Sequence, residues 1–218
     1  LYKDKGFDEF CKKCFAVGNL YNNHMVLQRQ YDFIWCILAK AFLIKIDRSC
    51  KNKFDILLEF CLNDLKCAMH QELYLLALYF KNDPSIGRVF AKLSKDYNKG
   101  IEYALENTTW DLFHSRMTFE HTRFYDTVEN RVILPYFATN DKGVYQYLSK
   151  CLFKAVIIDH GKMIPAYRSS IELSSYIMNE SLQFQLYDEE HIVKRKVDVT
   201  QVNINLIKSK LLQELKTI

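Results

Sequence analysis

Apolar positions along this chain recur mostly with the period of a helix, and in two places they bunch into short β-branched runs. The strongest helical signal is "NKFDILLEFCLNDLKCAMHQELYLLALYFK" at 52–81, where Ile56, Leu57, Phe60, Leu65, Met69, Leu73, Leu76 and Phe80 recur with a period near that of a helix. Ahead of it, residues 7–46 predict two helices with a break near Gly18 to Asn23. The first carries Phe7, Phe10, Cys14 and Phe15 at helical spacing. The second is apolar on most faces, which predicts a central position. "NDPSIG" (Asn82 to Gly87) predicts a turn, and a further helix is predicted from Arg88 to about Tyr97, closing near Gly100.

The next segment, "ENTTWDLFHSRMTFEH", has the form of a capped helix start, with Thr108 as N-cap and Asp111 three residues on. "RVILPYFAT" at 131–139 predicts a short buried strand, bulged or broken around Pro135. A helix from about Gly143 to Lys154 follows, and "AVIID" (Ala155 to Asp159) is a second strand candidate. Strand, helix and strand in that order predict a parallel βαβ unit. "SSIELSSYIMNESLQF" predicts one more helix. "VNINLIKSKLLQELKTI" predicts an amphipathic one, with Ile204, Ile207, Leu211, Leu212 and Leu215 on or near one stripe. The expected fold is therefore a helix-rich α/β domain at 1–160 with a small parallel sheet. Additional helices lie at both termini, and 161–218 forms a C-terminal helical extension.

Composition supports helices. Three Pro and six Gly in 218 residues are few for an all-β fold full of turns. The net charge of +4 is compatible with a polyanionic partner and weaker than the basic stripe of a dedicated DNA reader. "FIWCILAKAFLIKI" (Phe33 to Ile46) is the most hydrophobic stretch, but it is short and interrupted by Lys40 and Lys45, so it predicts a buried helix and no membrane span. Seven cysteines without a signal pattern predict reduced thiols and a cytoplasmic location. "CKKC" (Cys11 to Cys14) has zinc-knuckle spacing but lacks a second ligand pair. "KRK" at 194–196 reads as a solvated surface cluster. There is no glycine-rich phosphate loop, Gly-x-Ser-x-Gly elbow or HExxH, so nucleotide hydrolysis, acyl transfer and zinc proteolysis have no support.

Three carboxylates occupy suggestive places. Glu72 lies in the apolar "HQELYLLALYF", Asp111 at the expected helix start, and Asp141 just after an expected strand end, in "YFATNDKG". Ligands of open α/β sheets gather outside the carboxyl ends of strands. Converging carboxylates would repel one another unless a cation joined them, and Mg²⁺ or Mn²⁺ suits oxygen donors. Such ions activate water and stabilise an in-line phosphodiester displacement. Each acid also has a plainer role open to it: Asp141 as a cap, Asp111 as part of the Thr108 cap, and Glu72 on a solvent face.

The order of these acids, with "WDLFHSRM" and "YFATNDKGV" around the last two, resembles the PIN domain-like nucleases over roughly residues 55–160. The resemblance implies that Glu72, Asp111 and Asp141 are metal-binding and catalytic acids using Mg²⁺ or Mn²⁺. It also implies supporting polar groups at Thr139 and Asn140, an RNA or DNA substrate, and nucleic-acid contacts from Lys142, Arg116 and His114. The family's first acid, at the end of a first strand, has no counterpart here. "LYKDKG" offers only Asp4, and Asp159 falls out of order. Either that strand precedes Leu1 in a longer protein or the site is degenerate.

Two other readings stand beside this one. Arg116 and His121 have the Arg-x4-His spacing of the all-helical HEPN ribonucleases, in which His acts as acid/base and Arg stabilises phosphate charge. Alternatively, fourteen Tyr and fifteen Phe suit a catalytically inactive helical interaction or scaffold subunit, with a protein partner or a second copy of itself.

Overall fold

The computed structural model describes residues 18–94, 98–120, 125–126, 131–132, 141–150, 153–159, 162–167 and 173–217. The core of these residues is helical. Helix α1 (Gly18–Ile46) runs unbroken through the expected interruption at Gly18 to Asn23. From Phe33 to Phe42 all but Lys40 are buried, as an all-round apolar segment requires. Around it pack α2 (Lys53–Asn63), α3 (His70–Phe80), α4 (Ile101–Glu120) and, from the C-terminal part, α8 (Ile204–Lys216). Ile204, Leu211 and Leu215 carry the buried stripe of α8, with Ile207 and Leu212 half-buried beside it.

Between α4 and α8 lie α5 (Lys142–Lys150), α6 (Glu180–Tyr187) and α7 (Glu189–Asp198). Leu173, Ile177, Leu182 and Leu186 join the same core as α1 to α4, so the C-terminal helices pack into one body with them.

Among the described residues the small parallel sheet and the βαβ unit expected from the pattern are not formed. Among the described residues the strands make two separate antiparallel pairs. Strand β1 (Tyr125–Asp126) pairs with β2 (Arg131–Val132), and β3 (Phe153–Asp159) with β4 (Lys162–Tyr167). In the second pair Ile157 faces Ile164 and Asp159 faces Lys162, leaving two residues to connect the strands. Closing so short a loop costs far less chain entropy than the long crossover that parallel pairing needs, so β3 takes the neighbour that follows it. Most of the 131–139 strand candidate lies outside the described residues, as do "CKKC", the helix beginning at Phe7, Thr139, Asn140 and His121.

Four helical segments differ from the pattern. The 52–81 segment is two helices, because the chain turns at Lys66, whose φ of 51° is left-handed. Residues 88–94 are turns and bends instead of a helix. Thr108 and Thr109 sit in mid-helix, buried, and Thr109 Oγ1 donates to the Leu105 carbonyl at 2.7 Å; neither is a cap. "SSIELSSYIMNESLQF" resolves into a 3-10 turn at Ser174–Tyr176 and α6, whose N-cap is Asn179.

Basic side chains close several helix ends. Lys53 Nζ donates to the carbonyls of Ile44, Lys45 and Asp47 at 2.8, 2.9 and 2.6 Å. Lys45 Nζ does the same at the end of α3, to Tyr79 and Phe80. Arg195 donates to Gln185 and Leu186 at the end of α6, and Arg29 to Val199 and Val202. The final carbonyls of a helix lack intrahelical partners and carry partial negative charge, which a cation offsets.

Candidate functional site

Helix α4 presents Asp111, His114 and Arg116, and its geometry decides which of them can meet. Five residues advance a helix by about 140° beyond a full turn, so Asp111 and Arg116 point to different sides. Arg116 turns inward against α3, where Glu72 is buried in the first turn. Arg116 Nη1 donates to both Glu72 carboxylate oxygens, at 3.0 and 3.2 Å. The Glu72 side chain has no exposed surface and that of Arg116 has 15%. A carboxylate so desolvated needs a charged partner, and removing one member of such a pair typically costs about 3–5 kcal/mol.

Asp111 turns outward, half-buried, toward α5. Asp141 lies there as the residue preceding α5, and its Oδ1 accepts from the backbone N–H of Gly143 at 2.6 Å and of Val144 at 3.2 Å. This is an N-cap, the plainer role available to that residue. Gly143 lies in a tight approach: a Cβ there would lie 3.0 Å from the Arg88 carbonyl oxygen and 3.0 Å from Asp141 Oδ1, so both would have to give way.

Asp111 and Asp141 thus share a cleft of about 270 Å³, also lined by Arg88, Lys92, Lys142 and Gly143. Burial raises the pKa of Asp111 above the ordinary aspartate value; Lys92 and His114 oppose the rise and Asp141 adds to it. His114 is exposed and lies against Trp110, with ring centroids 5.0 Å apart.

Of the residues singled out by sequence, the structure brings Asp111, Asp141 and Lys142 together and sets His114 beside them. It places Glu72 and Arg116 in a separate, interior pair. Among the described residues no group of three or more His, Cys, Asp or Glu side chains is placed to hold a metal ion. The three-acid donor set implied for Mg²⁺ or Mn²⁺ is not assembled, and no chemical step is derived through such an ion. Arg88 and Lys92 were not legible as cleft residues, because the pattern assigned them to a helix. Glu72 did leave a signal: a carboxylate embedded in the apolar segment "HQELYLLALYF".

No protein-family model matches the chain, and neither a curated protein nor a solved structure is significantly similar to it. No helix among the described residues is long and apolar enough to cross a membrane.

Proposed function

We propose that this chain is a helical interaction subunit that binds a protein partner and does not itself cleave phosphodiesters. The observation that carries this reading is the commitment of Glu72 to Arg116, which withdraws one of the three candidate acids from the surface. Exposed apolar neighbours on one helix face support it: Val193 and Val197, one turn apart on α7; Trp110 on α4, Tyr145 on α5 and Phe184 on α6 are exposed as well. A cytoplasmic location goes with the reading, since the described cysteines Cys36, Cys50, Cys61 and Cys67 are all free thiols.

A second reading keeps a metal-dependent nuclease acting on RNA or DNA. It is favoured by one observation, the shared cleft of Asp111 and Asp141 with Lys142 at its edge. One experiment separates the two. Purified chain is incubated with single-stranded RNA and DNA in Mg²⁺ or Mn²⁺, beside Asp141→Asn. The interaction reading predicts no cleavage by either protein. It also predicts that a partner co-purified from the native host is lost on Trp110→Ser or Phe184→Ser at unchanged melting temperature. Cleavage by the wild type that EDTA stops and Asp141→Asn abolishes would replace it with the nuclease.

A further inference from the structure

We propose that Cys67 and Cys61 are a peroxide-oxidisable thiol pair, in which hydrogen peroxide oxidises Cys67 and Cys61 then closes a disulfide with it. The turn after α2 sets up the pair. Lys66, at a φ of 51°, bends the chain there, and the Cys67 N–H donates to the Cys61 carbonyl at 3.0 Å. Such a backbone bond brings the Cα atoms of its two residues to about 5.5–6 Å, inside the span of roughly 4.4–6.8 Å that a disulfide bridges. The thiols also sense one another. Burial pushes the Cys61 thiol well above its ordinary pKa, and the charge of Cys67 is the largest electrostatic addition to that rise.

The two members differ in the way sequential oxidation needs. Cys61 is fully buried, as is Cys36 behind it on α1, whereas Cys67 is half-buried and meets solvent. Peroxide therefore reaches the pair through Cys67. Arg195 lies within its electrostatic reach: burial lowers the guanidinium pKa, and the Cys67 charge opposes that fall. A cation near a thiol favours the thiolate, which is the form that attacks peroxide.

In the first step the Cys67 thiolate attacks one peroxide oxygen. An S–O bond forms, the O–O bond breaks, and the departing hydroxide takes a proton to become water. Cys67 is left as a sulfenic acid. In the second step the Cys61 sulfur attacks the Cys67 sulfur. The S–S bond forms, the S–O bond breaks, and hydroxide leaves with the Cys61 proton as a second water. The peroxide is reduced by two electrons and the two thiols are oxidised by two.

Trypsin cuts after Lys53, Lys66 and Lys81, which places Cys61 and Cys67 on separate peptides, 54–66 and 67–81. The full chain is treated with equimolar hydrogen peroxide, quenched in acid, unfolded with a thiol-alkylating reagent, digested and read by mass spectrometry. The expected product is the 54–66 and 67–81 pair joined by a disulfide, absent without peroxide and restored to two alkylated peptides by dithiothreitol. Cys67→Ser should lose the link and leave Cys61 as a thiol, shielded by its burial. Cys67 accumulating as sulfinic acid while Cys61 is still alkylated would overturn the proposal. So would a disulfide from Cys67 mainly to any other cysteine, or oxidation of Cys61 that is as fast in Cys67→Ser as in the wild type.

Discussion

At the scale of the residue, Asp111 and Asp141 show how two similar side chains acquire opposite energetic roles. Asp141 is exposed and caps α5 by accepting two backbone N–H groups. Asp111 is half-buried, and its carboxyl pKa is raised by burial and by Asp141, against the attraction of Lys92 and His114. The sign of the consequence follows from linkage. A folded pKa above the unfolded 3.8 means that the native state binds more protons between those two values. Stability from this group therefore grows as pH falls through the folded pKa, and at neutral pH its charge is a net cost. Asp111→Asn should raise the melting temperature at pH 7. The advantage should shrink as acidification protonates the wild-type carboxyl, and vanish near and below pH 3.8. A lower melting temperature for the variant at pH 7 would mean that Lys92 and His114 outweigh burial.

These roles were only partly readable in the sequence. Asp141 announces itself as a cap by preceding an amphipathic stretch and a glycine. Thr108 and Asp111 carry the same cap-like spacing, yet lie inside a helix that begins at Ile101. Local capping chemistry cannot distinguish a helix start from a helix interior when the preceding turns, here "IEYALEN", are also good helix formers.

At the scale of the element, helix identity was legible where apolar periodicity was long, and helix boundaries were not. The central burial of α1 and the stripe of α8 follow from their patterns. The break between α2 and α3 does not, because "NDLKCA" contains neither Gly nor Pro. The turn there is made by Lys66 at a φ of 51°, a conformation that costs a non-glycine residue about 1 kcal/mol or more. Lys66→Gly should accordingly raise stability by up to about 1 kcal/mol, read as a higher urea midpoint at unchanged slope. An unchanged or lower midpoint would show that glycine's added freedom in the unfolded chain cancels the relief.

The strands illustrate a different failure. The pattern pairs "AVIID" with a strand upstream across a helix, whereas β3 pairs with β4, which follows it. The hairpin signal lay downstream, where His160 and Gly161 join two apolar runs. A two-residue connection containing Gly favours an antiparallel return.

At the scale of the whole molecule, several of the described charges are occupied by structure. Lys45, Lys53, Arg29 and Arg195 sit on carbonyl groups, largely at helix ends; Arg116 neutralises Glu72, and Lys208 meets the buried Asp32 at 2.7 Å. A modest positive net charge in such a chain is as much an architectural requirement as a sign of a polyanionic partner. The three candidate acids divide along the same lines: one neutralises an interior arginine, one caps a helix, and one lines a cleft. Their order along the sequence resembled a nuclease, but order does not fix direction. The helical advance between Asp111 and Arg116 sends them, and hence Glu72, to different faces of α4.

The separation of Glu72 from Asp111 and Asp141 is tested most directly by the melting temperature of the full chain titrated with Mn²⁺, beside Glu72→Gln and Asp141→Asn. A metal bound only by the native state stabilises it by about 2.7 kcal/mol at a hundredfold excess over its dissociation constant. With the acids divided as described, millimolar Mn²⁺ leaves the wild-type melting temperature unchanged. A saturable rise in the wild type that both Glu72→Gln and Asp141→Asn abolish would contradict the account, because it would put those two carboxylates on one metal.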